Sequence, residues 1–455
     1  MWDLLSRKPA KPREPVIAAA TFVIGIGVMA IEITASRLLA PYFGASMFVW
    51  TSLIVTVLVA LSVGYFLGGR LAAKDAGLDV VGFLCFGAAL CLMFGTLIIP
   101  SFSSAISGLL IRLSSASIAL FLGSLLVTMI VFAAPVFLMA LAGPILLKAW
   151  SALGDVGAMS GRYFAVSTIG SVIGTVAPTL ILVPTIGSRG TVYVIAGMFM
   201  LLGVALASGW RKTSLALLFM LAVVPPALPA HAPRDVVLER ESPYQLIRVA
   251  NAEEGKRYLI FNEGTGIQSV YVPDRGRTGF YFDYLGIVPF LRPRPDGVRH
   301  KALIVGLAGG TAAVRYSSFL PPGETVDLTG VELDPAVIDA AKRWFDLDST
   351  GVKVVNADGR VFLKNGAGTY DSILVDAYST QLYIPPHLAT KEFYALAKEH
   401  LVPGGVLAMN VNAPSDDSRL LRGLVNTAAS VFGHVVYVPV ADTWNYLVLA
   451  SDEPF

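Results

Sequence analysis

From Val16 to Ala230 the apolar residues run in blocks, each about 20 residues long, the length a helix needs to cross a bilayer. The blocks fall at 16–37, 47–69, 80–100, 117–148, 163–184, 191–209 and 213–230, which predicts six or seven transmembrane helices. The last block is short and interrupted by Pro225, Pro226 and Pro229, so it either crosses or lies at the interface. Beyond Pro233 the pattern shortens. The stretch from Val236 to Pro273 reads as the strands VVLERE, YQLIRV, RYLIF and IQSVYV, separated by the turn-formers Asn251 and Gly255, then Asn262 and Gly264. A helix is predicted over 279–291. From His300 onward strand, turn and helix recur: KALIVG before GLAGGT, TVDLTGVEL before DPAVIDAAKRWF, VKVVNA before DGRVFL, DSILVD before TKEFYALAKEHL, then GVLAMNV. One more helix and two strands complete the chain to Ala450. Strands alternating with helices argue for a parallel sheet covered on both faces, with its ligand outside the carboxyl ends of the strands. The predicted fold is a multi-pass α-helical membrane domain (1–232), a small β subdomain (233–278) and an α/β Rossmann-like domain (279–455).

Composition sharpens that division. Hydrophobic residues make up 55% and charged residues 15%, with mean hydropathy +0.67, whereas a soluble chain carries roughly 25% charged residues. A net charge of +2 makes no electrostatic case for a nucleic-acid partner. Both cysteines, Cys85 and Cys91, lie in one apolar run; six apart on a helix they cannot face each other, and they read as small buried hydrophobes. Lys and Arg alternate in number between the spans. The N-terminal tail holds Arg7, Lys8, Lys11 and Arg13, and alternate connections hold Arg70 with Lys74, Lys148 with Arg162, and Arg211 with Lys212. The connections between them offer Arg37, Arg112 and Arg189 alone, which places the N-terminus in the cytoplasm. Gly64 and Gly68 stand four apart, as do Gly170 and Gly174, a spacing that favours close helix packing over a pore. Glu32 is the acid well inside an apolar run; it is either functional or paired with Arg37 or a neighbouring helix.

Three features fall at predicted strand ends. The glycine turn Gly306, Gly309, Gly310 lets a backbone approach a ligand closely, although it lacks the full dinucleotide fingerprint. Glu332 ends the second strand of the large domain, where an acid can meet ribose hydroxyls. Asp358 ends the third, where it can accept a bond from an exocyclic amine. Asp334, before Pro335, reads as a helix cap.

These motifs resemble those of the spermidine synthase (polyamine aminopropyltransferase) family over about residues 236–450, and EITASRLLAPYFG resembles the first span of its membrane-fused members. The resemblance implies a small β domain leading into a methyltransferase-like Rossmann sheet. SPYQ puts Tyr244 and Gln245 on the family's tyrosine–glutamine pair, and NEGTGIQS puts Gln268 at a nucleoside-contacting glutamine. FYFDYLGIVPFL puts Tyr281 beside the aminopropyl group. VELDP, NADG and ILVDAYS put Glu332 on ribose, Asp358 at adenine and Asp376 at the catalytic acid, with Tyr378 and Ser379 in the substrate loop. Two departures stand out. The family's GGGDGG reads GLAGGT here, with Gly309 at the aspartate, and its DSSD reads DAYS, with Ser379 at the second acid. Both remove groups that bind or deprotonate amines.

The implied chemistry is attack by an amine on the methylene beside the sulfonium of decarboxylated S-adenosylmethionine, releasing methylthioadenosine, with Asp376 taking the amine's proton. The acceptor is altered or intramolecular. Competing readings are a methyltransferase using S-adenosylmethionine itself and a non-catalytic nucleoside-binding membrane sensor. The expected partners are the lipid bilayer, the adenosyl sulfonium compound as co-substrate and a second copy as homodimer, without metal or tightly bound cofactor. Seven crossings would put the C-terminal domain outside the cytoplasm and six would keep it inside. A cytosolic co-substrate favours six.

Overall fold

The computed structural model describes residues 13–43, 47–113, 116–208, 214, 235–262, 266–291, 299–320, 326–366, 368–378 and 384–455. The chain divides into two compact units, Met1–His231 and Ala232–Phe455.

The first unit is helical: α1 (Glu14–Phe43), α2 (Met47–Ala73), α3 (Leu78–Leu113), α4 (Ala116–Ser151), α5 (Val156–Ala177), a π-helical turn (Pro178–Leu182) and α6 (Val183–Leu206). Five stretches among the described residues are long and apolar enough to cross a membrane: Glu14–Phe43, Met47–Ala73, Leu78–Ser103, Phe121–Ser151 and Val156–Leu206. The fifth has 51 residues. Straight, at about 1.5 Å per residue, it would run to more than twice the ~30 Å of a hydrocarbon core. It is not straight, because the backbone leaves helical geometry at Gly187 (φ 73°, ψ 169°), a conformation glycine takes at no side-chain cost. The blocks 163–184 and 191–209 are thus joined through this break rather than through a polar loop. The block at 213–230 falls outside the described residues.

Small residues set how these helices meet. A Cβ on Gly64 or Gly68 would collide with Phe137, Ala140 or Leu141 of α4, and one on Gly170 or Gly174 with Phe22 or Ile26 of α1. The paired glycines therefore serve close packing. Trp150 is buried and donates its Nε1–H to Thr21 Oγ1 at 3.0 Å. Glu32 is partly buried on α1. Cys85 and Cys91 are free thiols.

The second unit holds two sheets. Strands β1 (Val236–Glu241), β2 (Leu246–Asn251), β3 (Arg257–Phe261) and β4 (Ile267–Tyr271) form an antiparallel sheet in that order. Its inward residues Ile247, Val249, Leu259 and Phe261 pack with Val337, Ala340 and Phe345, the first two of them on α9 (Pro335–Trp344). The larger sheet comprises β5 (His300–Val305), β6 (Val326–Glu332), β7 (Lys353–Asn356), β8 (Tyr370–Val375), β9 (Leu401–Asn412), β10 (His434–Pro439) and β11 (Asn445–Ser451), in the order β10-β11-β9-β8-β5-β6-β7. Strands β5 to β9 are parallel. The central strands β5 and β8 are buried on both faces: Leu303 and Val305 of β5 enter one core, Ala302 and Ile304 the other. The expectation of a wholly parallel sheet needs correction at its end. β11 runs antiparallel to β9 and to β10, since the short link from Pro439 to Asn445 has no room for a crossover.

The other helices of this unit are α7 (Phe282–Leu285), α8 (Thr311–Ser317), α10 (Gly359–Lys364), α11 (Lys391–Glu399) and α12 (Arg419–Ala429). The helix predicted over 279–291 is instead α7 followed by a separate 3₁₀ turn, Val288–Phe290. Gly286 interrupts it, packed so closely on Phe319 and the Arg315 carbonyl that a side chain would not fit. Because β5 lies between β6 and β8, the connections leave it in opposite directions. A crevice therefore opens at the carboxyl ends of β5 and β8.

Candidate active site

Gly306 follows β5 at φ 89°, and a Cβ there would collide with the backbone of Asp376 and Ala377. Its N–H donates to Val331 O at 2.9 Å, while the Asp376 N–H donates to Val305 O at 2.9 Å. The ends of β5, β6 and β8 are so drawn together around a cavity of about 180 Å³. Gly306, Glu332, Asp358, Asp376 and Tyr378 line it, and Tyr244, Gln245 and Gln268 close it from the small sheet.

Asp376 sits just past β8. Its Oδ2 accepts from the Tyr281 hydroxyl at 2.7 Å and its Oδ1 from Asn410 Nδ2 at 2.9 Å. Asn410 is itself oriented by Asn445 Nδ2, which donates to its Oδ1 at 3.0 Å. The carboxylate keeps some exposed surface but is otherwise enclosed by protein. Burial pushes its pKa above the usual carboxylate range, against the two hydrogen bonds that favour the ionised form. Burial likewise raises the Tyr281 phenol well above its ordinary value, helped by the Asp376 charge, so Tyr281 acts as a donor and not as an acid. The Tyr378 hydroxyl donates to Asn410 O at 3.0 Å and accepts from Asn412 N at 2.8 Å, which ties this loop residue to β9.

The two other acids line the same cavity. Glu332 is 8% exposed; its Oε2 accepts from Ala308 N at 2.9 Å and its Oε1 from Asp334 N at 3.1 Å. Burial raises its pKa despite those backbone bonds. Each oxygen keeps a second lone pair for a ligand hydroxyl. Asp358 caps α10, with Oδ1 accepting from Val361 N at 2.9 Å, and its Oδ2 lies 3.0 Å from His387 Nε2. Gln245 is set by Ser242, whose Oγ accepts from the N–H groups of Tyr244 and Gln245 and donates to Asp334. Gln268 is held beside the glycine turn, because Ser269 Oγ accepts from Gly309 N at 2.8 Å and Thr311 Oγ1 bridges Val270 N and O.

Not every expected residue stands at the cavity. Gly309 does not line it: a side chain there would run into Ser269 and Phe345. Besides Gly306, the lining residue of that turn is Ala308, which holds its β-carbon at φ 48°. A carboxylate reaching the cavity from this turn would have to grow from Ala308. Tyr281 backs Asp376 from outside the lining, and Ser379 lies outside the described residues. Sequence reading missed Asn410, Asn445 and His387. Asn410 was within reach of it, since in parallel register Val375 faces Met409 and the next residues are Asp376 and Asn410.

Residues 296–451 match the family model for the spermine/spermidine synthase domain. A probable polyamine aminopropyl transferase of Bifidobacterium longum is 35% identical over 201 residues, 44% of this chain and 43% of that one. A polyamine aminopropyltransferase of Vibrio vulnificus is 32% identical over 207 residues, 44% of this chain and 65% of that one. The chain thus spans less than two thirds of the length of these two relatives. Among solved structures, a probable spermidine synthase from Corynebacterium glutamicum aligns with TM-score 0.42 and 22% identity over 50% of this chain and 82% of that one. Spermidine synthase from Thermotoga maritima aligns with TM-score 0.39 and 21% identity over 48% and 73%.

Proposed function

We propose that the C-terminal unit, whose residues 296–451 match the spermine/spermidine synthase domain, binds an adenosyl sulfonium compound and displaces its thioether with a nitrogen nucleophile. The observation that carries this reading is the seating of Asp376. A half-buried carboxylate of raised pKa, oriented by Tyr281 and Asn410, shares one cavity with Glu332 and Asp358.

In this reading Glu332 accepts from the ribose hydroxyls, and Asp358 with His387 meets the base. Asp376 takes a proton from the incoming alkylammonium, and the freed nitrogen lone pair attacks the methylene next to sulfur. The C–N bond forms as the C–S bond breaks, its electron pair goes to sulfur, and methylthioadenosine leaves. The sulfonium is already a good leaving group, so the residues supply position and an unprotonated amine. Burial suits Asp376 to that task, since a raised pKa brings it nearer to the amine's.

The nitrogen nucleophile is not the usual dication. Ala308 brings a methyl group where an acid would pair with a diamine, which favours a singly charged or intramolecular amine. The five apolar stretches of the first unit support placement in the cell membrane. Mass spectrometry of nucleoside products, after incubating the purified protein with decarboxylated or intact S-adenosylmethionine, tests the reading. Methylthioadenosine is expected. S-adenosylhomocysteine alone would turn it into methyl transfer, and tight binding without turnover into sensing.

A further inference from the structure

Arg315 carries its charge where a domain of this size would ordinarily place an apolar side chain. It is 3% exposed on α8, the helix that begins at the end of the glycine turn. Its Nη1 donates to Arg275 O at 3.0 Å and to Gly276 O at 2.8 Å. Its Nε stands 3.1 Å from Asp283 Oδ1, a charge contact lacking the angle of a directed hydrogen bond. The guanidinium lies 5.2 Å from the Phe319 ring. Burying such a pair costs desolvation that apolar residues avoid, so it adds little stability in itself. What a guanidinium adds is a rigid fork that fixes several oxygens at once.

The oxygens it fixes belong to one loop. Asp283 Oδ1 accepts from Thr278 N at 3.1 Å and from Thr278 Oγ1 at 3.0 Å, and its Oδ2 accepts from Gly279 N at 3.0 Å. Thr278 Oγ1 in turn accepts from Phe280 N at 3.1 Å. The residue following this knot is Tyr281, whose hydroxyl sits on Asp376 Oδ2. The same α8 is anchored through Gly310 to the turn whose Ala308 N–H holds Glu332.

We propose that Arg315 is a positioning residue, acting through Asp283 to seat the Tyr281 hydroxyl on Asp376 and to tie that seat to the nucleoside wall. This inference rests on the reading of Asp376 as the base. Without Arg315 the knot at Thr278–Phe280 loosens and Tyr281 leaves Asp376, while Glu332 and Asp358 keep their own partners.

The test compares Arg315→Met, Arg315→Lys and Asp283→Asn in the full-length protein. Methylthioadenosine affinity by calorimetry should stay within about threefold, less than one hydrogen bond's worth. Turnover should fall by about 10- to 100-fold, the scale of a misplaced catalytic group. The acid limb of the turnover profile should move to higher pH, because the Tyr281 hydrogen bond that lowers the Asp376 pKa is lost. Amide exchange over 278–283 should quicken at least about tenfold. Arg315→Lys should recover part of the turnover, since it keeps the charge beside Asp283 but not the grip on both carbonyls. Unchanged exchange with an unmoved acid limb would overturn the proposal, as would methylthioadenosine affinity falling in step with turnover. If Arg315→Met does not fold, Asp283→Asn is judged on the same measurements. If the unmodified protein turns over neither sulfonium donor, the enzymatic reading fails, and exchange with affinity then decide the positioning role alone.

Discussion

Replacing Asp376 by Asn removes a proton acceptor while keeping shape. Asn can still accept from Asn410 or donate towards Tyr281, so the wall of the cavity should persist. The size of the effect follows from the amine. An alkylamine with a pKa of about 10.4 is neutral in only about one molecule in 2,500 at pH 7. A positioned base that relieves this is worth about 10²–10⁴-fold, and the two figures agree. Asp376→Asn should therefore lose about three orders of magnitude in turnover at pH 7, or about 4 kcal/mol of barrier. The loss should shrink about tenfold per pH unit as the amine deprotonates in solution, approaching its pKa. Methylthioadenosine affinity should hardly change, since Glu332 and Asp358 are untouched. Quantifying methylthioadenosine by mass spectrometry from pH 6 to 10, alongside calorimetry, reads both. Full turnover by Asp376→Asn at pH 7, or a loss that does not recover at high pH, would refute the role given to this carboxylate.

Glu332→Ala and Asp358→Ala should each weaken methylthioadenosine binding by about 1.5–3 kcal/mol, the worth of a hydrogen bond to a charged group; calorimetry showing no change in either would remove both from the nucleoside site. Putrescine should be a poor acceptor, by about one to three orders of magnitude for a cavity lacking the carboxylates that pair a dication, and Ala308→Asp should raise putrescine-dependent turnover; efficient spermidine formation by the unmodified protein speaks against this. Stability should also depend on pH through the buried acids. The folded pKa values of Asp376 and Glu332 are raised by burial, so their contribution is fully present below the unfolded value of about 4 and lost as pH rises through the folded values. Asp376→Asn should accordingly raise the thermal midpoint at pH 8 and leave it unchanged at pH 3.5, and a midpoint lowered at pH 8 would contradict the burial argument. Gly68→Leu should destabilise the helical unit, because a side chain there meets the α4 backbone at Leu141; unaltered thermal unfolding in detergent would count against that contact.

What could be read from the chain was what repeats locally. The alternation of strand and helix from His300 placed β5 to β9, acids at strand ends marked Glu332 and Asp358, and the resemblance of ILVDAYS pointed to Asp376. The parts that escaped depend on distant or directional information. Asn410 reaches Asp376, and Asn445 reaches Asn410, across neighbouring strands, each more than 30 residues away in the chain. Glycine spacing marks a turn but not which residue of it faces a ligand, so Gly309 stood in for Ala308. The helix expected at 279–291 has the right apolar residues, yet close packing at Gly286 breaks it. His387 follows two prolines in a stretch without periodicity, where nothing local announces its contact with Asp358. In the helical unit, hydropathy locates apolar blocks but is blind to a glycine that bends the chain inside one.

Ala308 has a consequence for descent. Its positive φ of 48° costs an alanine about 1–2 kcal/mol, and aspartate enters that region more readily than most residues. The alanine codons that end in a pyrimidine differ from those of aspartate at the middle base alone. Neither the backbone nor the genetic code holds this turn far from one that carries a carboxylate. On the proposed reading, a lineage carrying this turn could restore one of the two missing amine-pairing acids by a single substitution, without rebuilding the fold.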